Sequence, residues 1–161
     1  MPLVGIIAKK RDIKAIKKDI QEKSKEIVEI TNESIKNIKN IKFEQIIFLE
    51  DIKLEEEQYS YMKEIIANAK FVIINGDIEI DILKQIKIER PIKLITIGFN
   101  SKSTITISSV SDEKIIVYIQ REIEKNNSKM LECQEKEIIC NRDKKIYNNL
   151  AVFIINELHN S

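Results

Sequence analysis

The stretch Phe71-Val72-Ile73-Ile74-Asn75-Gly76-Asp77 decides the fold class of this chain. Its four apolar residues, mostly β-branched, predict a strand buried on both faces, and Asn75-Gly76-Asp77 is a strong turn signal that ends it. A strand of this kind belongs in the interior of a sheet, with a parallel neighbour on each side. Four further strands are predicted in the same part of the chain, at 3–8, 27–31, 43–49 and 93–98.

Helical periodicity fills the intervals between these strands. Asp12 is predicted to cap a first helix, in which Ile13, Ile16 and Ile20 share one face opposite the lysines. Further helical segments are predicted at 35–41, 59–69 and 79–86. Because strand and helix alternate, we expect a mostly parallel, Rossmann-like sheet with helices on both faces.

Beyond residue 98 the pattern becomes that of an antiparallel sheet. Residues 104–108 alternate with a period of two, and a turn leads to a partner strand at 115–120. A second turn at Asn126-Asn127-Ser128 precedes a third strand near 136–140. This part is expected to extend the parallel sheet with antiparallel hairpins.

A closing helix completes the predicted architecture. Asp143 is predicted to cap it, and its apolar face carries Ile146, Leu150, Phe153, Ile154 and Leu158. The chain is therefore expected to form a single α/β domain. That domain, 1–161, would comprise a parallel part (1–98), antiparallel strands (99–142) and the helix (143–159).

The composition excludes several classes of protein. The chain has 161 residues, is 43% apolar and 33% charged, and carries a net charge of +1. This content fits one folded domain, and the near-zero charge gives no reason to expect nucleic acid or an anionic membrane as a partner. No run approaches the roughly 18–20 apolar residues that span a bilayer, and the N-terminus lacks a basic leader. A cytoplasmic location is therefore predicted.

Cysteine and histidine are too scarce for most nucleophilic and zinc chemistry. Cys133 and Cys140 are the only cysteines and no paired metal ligands accompany them, so reduced structural thiols are expected. The single histidine, His159, stands near the C-terminus, which argues against Ser-His-Asp and Cys-His catalysis. We therefore predict no catalytic residue and no metal ligand.

Polar residues follow the predicted parallel strands at the ends where open sheets bind ligands. The candidate ligand contacts there are Lys9, Lys10, Asn75, Asp77 and Asn100. Ordinary solvated loops would give the same pattern. The first loop lacks the glycines that let backbone N–H groups approach a phosphate, so it is not a Walker A loop. Its three cations, Lys9-Lys10-Arg11, are either an anion site or a solvated basic corner.

Charge is divided unevenly along the chain. Residues 1–42 carry a balance of +5, whereas residues 43–64 carry −5. Patches of opposite sign can guide self-association, so a second copy of the chain is one candidate partner. The run 55–57 of three glutamates could hold a divalent cation, although such runs ordinarily just solvate a loop.

Four segments occur in an order that is typical of one enzyme family. They are 3–7, 46–51 with the following helix 59–70, 72–77 with 94–99, and 146–151. Together they resemble a shortened central domain of the Mur ligases, which use ATP to build the peptide stem of peptidoglycan. The last segment, Ile146-Tyr147-Asn148-Asn149-Leu150-Ala151, is similar to the family's closing helix and implies that Asn148 lies near the nucleotide cleft.

Departures from the family pattern imply that ligation is lost. The phosphate-binding loop is replaced by 8–11, segment 50–54 lacks the histidine that helps to hold magnesium, and Lys144-Lys145 stands in place of His-Asn. The family's two substrate domains are also expected to be missing. The resemblance thus implies a non-catalytic protein that binds a protein partner or itself. The alternative is a nucleotide or anion sensor linked to cell-wall metabolism, and only then would ATP and Mg²⁺ be cofactors.

Overall fold

The computed structural model describes residues 3–20, 26–125, 127–140 and 145–159. The parallel part comprises β1 (Leu3–Ile7), α1 (Lys10–Asp19), β2 (Glu26–Glu29), α2 (Ile35–Ile38), β3 (Gln45–Phe48), α3 (Gln58–Asn68), β4 (Phe71–Asn75), α4 (Asp81–Gln85) and β5 (Leu94–Gly98). The remainder comprises β6 (Ile105–Val110), β7 (Lys114–Ile119), β8 (Ile123–Glu124), β9 (Met130–Leu131), β10 (Gln134–Ile139) and α5 (Ile146–His159).

Most strands of the described ranges join one large sheet. Its eight strands follow the order β10-β7-β6-β5-β4-β3-β1-β2, and β8 pairs separately with β9. The strands from β2 to β6 are parallel, whereas β7 and β10 are added antiparallel. The predicted mostly parallel sheet with an antiparallel extension and a closing helix is therefore confirmed. So is the interior position of β4 between parallel neighbours.

Helices cover both faces of the parallel strands, as predicted. Because side chains alternate across a strand, Phe71 and Ile73 of β4 face one core while Val72 faces the other. The first core packs α1 and α5 on the sheet, and the second packs α2, α3 and α4. The carboxyl ends of these strands lie at a common edge because the strands are parallel, and the two apolar layers hold the sheet from both sides.

Helix α1 begins earlier than its sequence suggests. Ile13 and Ile16 are buried on the sheet as predicted, and Ile20 is partly buried against the same core. Asp12, however, is not the cap, because the backbone oxygen of Lys9 already accepts bonds from the N–H groups of Asp12 and Ile13 at 2.9 and 3.1 Å. The predicted cap is wrong. Asp12 lies inside the first helical turn and is buried.

The chain passes from β5 to its parallel neighbour β6 without a crossover helix. Parallel neighbours normally need a connection of a dozen or more residues. Here β6 starts beside the end of β5, with Ile97 opposite Ile105 and Gly98 opposite Thr106. Thr96 and Thr104 clamp the step, because each hydroxyl oxygen accepts the other's backbone N–H, at 2.8 and 3.3 Å. A short loop therefore suffices, since the two strands overlap only at their tips.

Strand β10 forms one edge of the sheet. Lys136 and Ile138 are partly buried on the side of α5, and the Lys136 ammonium lies 3.0 Å from Glu157 of that helix. Glu135, Glu137 and Ile139 are exposed. The antiparallel strand predicted near 136–140 is therefore present, and its exposed residues include two glutamates as well as the apolar Ile139.

The remaining predictions concern the closing helix, its cap and the turn at 126–128. In the closing helix Leu150, Ile154 and Leu158 are buried, as the apolar pattern predicts. The proposed cap Asp143 and the first turn residue, Asn126, lie outside the described residues. Ser128 adopts a left-handed conformation with φ 64° in the turn between β8 and β9. Of the helices that the structure describes, none has the length and apolarity to cross a membrane.

Candidate functional site

The order in which strands join the sheet reverses between β1 and β3. β1 lies between β2 on one side and β3 on the other. In open parallel sheets, ligands bind beyond the carboxyl ends of the strands at such a reversal. The loops that meet there are 8–9, after β1, and 49–51, after β3.

The loop after β1 is too short to cradle a phosphate. Only Ala8 and Lys9 separate β1 from α1. The backbone N–H groups of Leu49 and Glu50 both donate to the oxygen of Ile7, at 3.0 and 3.3 Å, so the loop after β3 is bonded to the end of β1. A triphosphate needs several successive N–H groups that point into open space. The residues here do not fit Mg-ATP in the manner that the Mur resemblance implies.

Three exposed cations stand at the end of this loop and the start of α1, and we name Lys9, Lys10 and Arg11 the basic corner. The Lys9 ammonium lies 3.7 Å from the carboxylate of Glu50. Lys10 and Arg11, the first residues of α1, make no ion pair within the described residues. They stand at the helix end where the macrodipole already places positive charge. The basic corner is therefore electrostatically unfavourable for α1.

The segment 50–57 borders this corner, and we name it the acidic loop. It contains Glu50, Asp51 and the exposed run Glu55-Glu56-Glu57. Asp51 accepts a bond from the N–H of Ile82 at 3.3 Å, which attaches the loop to α4. A pocket of about 320 Å³ opens beside it. Across the described ranges, no group of three or more histidine, cysteine, aspartate or glutamate residues is arranged to hold a metal ion.

Asn75 and Asp77 form a tight turn at the end of β4. Asn75 is buried, and its side-chain oxygen accepts the N–H of Asp77 at 3.0 Å. Its amide nitrogen lies 3.5 Å from the backbone oxygen of Leu49. The Asn75 amide is thus bonded to the backbone of its own turn and to that of the loop after β3. These bonds fix the turn that carries Asp77.

The Asp77 carboxylate collects three hydrogen bonds. It accepts the backbone N–H groups of Phe99 and Asn100 at 2.7 and 2.8 Å, and the Tyr147 hydroxyl at 2.7 Å. We name these four residues the Asp77 cluster. Gly98 makes it possible: its φ is +143°, and a Cβ there would lie 2.5 Å from a carboxylate oxygen of Asp77.

Both titratable groups of the cluster have pKa values that are shifted further from neutral pH. Burial alone would raise the pKa of Asp77, but the bonds from Tyr147, Phe99 and Asn100 outweigh it and the pKa lies below 3.8. Burial, the bond to Asp77 and its negative charge raise the pKa of Tyr147 to about 12. Neither group changes its protonation near pH 7, so the pair is unsuited to general acid–base catalysis.

An aromatic contact also joins the cluster to α5. The rings of Phe99 and Tyr147 meet edge to face, with centroids 6.4 Å apart and an interplanar angle of 87°. Phe99 is 51% exposed, so it stands at the surface and not in the core. The closing helix is therefore attached to the loop after β4 by a polar contact and to the loop after β5 by an aromatic contact.

The side chain of Asn148, in α5, is engaged in a contact with Asp12 of α1. Its amide nitrogen donates to the carboxylate of Asp12 at 3.2 Å, and the Lys145 ammonium lies 3.3 Å from the same carboxylate. Both Asn148 and Asp12 are buried. This arrangement explains why Asp12 is available neither as a helix cap nor as a ligand contact.

The candidate contacts thus fall into three groups. The structure brings Asn75, Asp77 and Asn100 together, leaves Lys9 and Lys10 in the basic corner, and buries Asn148 against Asp12. Whether any of them binds a ligand stays a prediction. Sequence reasoning missed the roles of Gly98 and Tyr147, although a glycine directly after a strand and the aromatic residue of the closing helix were visible signals.

Comparison with known proteins adds no relative: no protein-family model matches this chain, and no curated protein matches it. The resemblance to the Mur ligases therefore stays a prediction that stands on the sequence segments alone.

Proposed function

We propose that this chain is a non-catalytic binding protein that acts by contacting a protein partner or a second copy of itself. One observation carries the proposal: the connection from β1 to α1 is only Ala8-Lys9, and the end of β1 directly before it is bonded to the loop after β3. An enzyme that transfers phosphoryl groups works largely by positioning them with backbone donors and metal ions. This loop offers no such cradle.

The ancestry that we propose is a shortened, Mur-like domain with a Rossmann-like sheet. The order β2-β1-β3-β4-β5 is one of the two common doubly wound arrangements, which supports the doubly wound part of this assignment, whereas the Mur ancestry rests on the sequence segments. We further propose a cytoplasmic location, because Cys133 and Cys140 are free and a reducing compartment keeps thiols in that state. A link to the bacterial cell wall rests on the resemblance alone.

The polar groups at the carboxyl edge support the non-catalytic proposal. Asp77 accepts bonds from three donors of its own chain, and Asn148 is directed at Asp12 rather than at the loop ends. A catalytic base would need a free lone pair and a pKa near the working pH. These side chains stabilise the loops instead.

A thermal-shift screen with ATP, ADP and UDP-sugars, each with and without Mg²⁺, tests the proposal. We expect an unchanged unfolding midpoint at saturating concentrations, because only a ligand that binds the native state stabilises it. The variant Lys10→Gln serves as the matched control. An increase in the midpoint with ATP that disappears in Lys10→Gln would contradict the proposal and indicate a nucleotide site.

One observation favours a second candidate function, an anion sensor: Lys10 and Arg11 have no ion pair within the described residues and lie where the strand order reverses. Inorganic pyrophosphate is the probe for this function. A sensor predicts stabilisation by pyrophosphate without Mg²⁺ and loss of that effect in Lys10→Gln. An unchanged midpoint would eliminate it.

A further inference from the structure

The basic corner and the acidic loop lie side by side at the carboxyl edge of the sheet. We propose that this pair of surfaces is a docking site for a second copy of the chain, in which the basic corner of each copy contacts the acidic loop of the other. The inference rests on the proposed function and names its partner. Lys9 and Glu50, 3.7 Å apart, mark the border between the two surfaces within one chain.

The basic corner needs a negative partner that its own chain does not fully supply. Lys10 and Arg11 are exposed at the positive end of the α1 dipole, and within the described residues neither has an ion pair. Cations at a helix N-terminus are destabilising, whereas anions there are stabilising. Asp12 cannot compensate for them, because Lys145 and Asn148 already occupy its carboxylate. An external carboxylate would therefore be attracted to this corner.

The acidic loop has the complementary excess. Glu55, Glu56 and Glu57 are exposed, and their side chains form no ion pair within the described part of the chain. The loop is nevertheless held in place, because Asp51 bonds to the N–H of Ile82 and the side chain of Gln58 accepts the N–H of Glu55 at 2.9 Å. A fixed array of carboxylates at the protein surface is a suitable partner for a fixed array of cations.

Adjacent surfaces of opposite sign are self-complementary under a two-fold axis. Rotation about an axis at the Lys9–Glu50 border brings each basic corner onto the other copy's acidic loop, so the contact forms twice and the assembly closes as a dimer. A nucleic acid fits less well, because a phosphate backbone that reaches Lys10 would also approach Glu50 and Asp51. Another copy of this chain presents both halves of the required surface.

Analytical ultracentrifugation tests the mass and its dependence on salt. We expect a monomer–dimer equilibrium at about 0.1 M salt that weakens at least tenfold at about 1 M, because the screening length falls from about 10 Å to about 3 Å. The association should be detectable at protein concentrations up to about 1 mM, where weak specific complexes form. A single-chain mass under all these conditions would overturn the inference.

Charge reversal identifies the surfaces. The variants Lys10→Glu/Arg11→Glu and Glu55→Lys/Glu56→Lys should each be monomeric alone, because like charges then face one another. An equimolar mixture should form a heterodimer, since every contact is again between opposite charges. The control Lys17→Glu/Lys18→Glu makes the same change of charge at the far end of α1 and should dimerise like the parent chain.

Each result separates this inference from the proposal on which it rests. A dimer that resists salt, or that survives either reversal, would place the contact elsewhere and overturn the inference. So would a mixture that stays monomeric while both variants keep the parent's circular dichroism. If a reversed chain fails to fold, the neutral pairs Lys10→Gln/Arg11→Gln and Glu55→Gln/Glu56→Gln replace it, and unimpaired dimers would overturn the inference. The proposed function itself is tested separately, by the thermal-shift screens with nucleotides and pyrophosphate.

Discussion

Two polar regions share the carboxyl edge of the sheet and differ in how their charges are satisfied. In the Asp77 cluster one carboxylate accepts three hydrogen bonds from its own chain. In the basic corner Lys10 and Arg11 have no ion pair within the described residues, and the helix dipole adds to their repulsion. A polar residue after a strand is therefore weak evidence for a ligand. Charge that the fold leaves uncompensated is stronger evidence for a partner.

The difference has an energetic consequence. Residues of the Asp77 cluster stabilise the native state, so their replacement should lower the free energy of unfolding. Lys10 and Arg11 of the basic corner make no ion pair within the described residues, so their replacement should leave that free energy unchanged or raise it slightly. The four substitutions below test this contrast, from the largest expected effect to the smallest.

Gly98→Ala should have the largest effect. A Cβ at this position would lie 2.5 Å from a carboxylate oxygen of Asp77, and the φ of +143° disfavours any side chain. We expect the free energy of unfolding in urea to fall by about 2–3 kcal/mol, in the range for strained backbone combined with a steric clash. Gly76→Ala is the control, because its Cβ would meet no atom closer than 3.0 Å. Equal losses in both variants would contradict the role assigned to Asp77.

Asp77→Asn should lower stability by about 1–2 kcal/mol at pH 7, because three hydrogen bonds to a charged acceptor at an exposed site are weakened. The folded pKa of Asp77 is depressed below 3.8. Its stabilisation is therefore complete above the unfolded value and is lost as the pH falls through the folded pKa. Urea unfolding across pH 2–7 should show the parent and variant converging in acid. A difference in stability that is independent of pH would be evidence against an ionised Asp77 at the centre of the Asp77 cluster.

Tyr147→Phe keeps the aromatic contact with Phe99 and removes only the hydroxyl. The expected loss is about 1 kcal/mol, the usual contribution of a single hydrogen bond. Spectrophotometric titration gives an independent measure, because the pKa of Tyr147 is raised to about 12 and this substitution should remove a tyrosine that ionises near that value. If the titration curve lost an ordinary tyrosine instead, the bond to Asp77 would be absent in solution.

Lys10→Gln should have the smallest effect and the opposite sign. Removing a cation from the N-terminus of α1 is expected to raise stability by about 0.3 kcal/mol. Lys17→Gln is the matched control at the other end of the same helix, where a cation is favourable, and it should lower stability by a similar amount. Low ionic strength makes both changes measurable. A loss of stability in Lys10→Gln would show that the basic corner is part of the structural framework after all.

Local patterns in the sequence were sufficient to predict the parallel part of the fold. The segment 71–75 is apolar and β-branched and a turn signal follows it, so its burial and its parallel neighbours follow from composition and spacing. The helix faces were predictable for the same reason. Ile13 and Ile16 recur at helical intervals, and they are buried where the period places them.

Contacts between distant segments explain what the sequence could not reveal. Asp12 reads as a cap, yet it is buried by Lys145 and Asn148, which come from the far end of the chain. Asp77 reads as a free loop carboxylate, yet Tyr147 occupies it. In the same way, the parallel step from β5 to β6 depends on the Thr96–Thr104 clamp, which no periodicity displays.

Strand β10, at one edge of the sheet, carries charges that oppose pairing with the same strand of another copy. If two copies of β10 paired in antiparallel fashion about Lys136, Glu135 of each would face Glu137 of the other, and centring on either glutamate would set it against its own counterpart. Repulsion of this kind discourages two sheets from pairing edge to edge and growing into fibrils. The charges of β10 therefore oppose open-ended polymerisation through this edge of the sheet, whereas the closed dimer proposed above is formed through another surface.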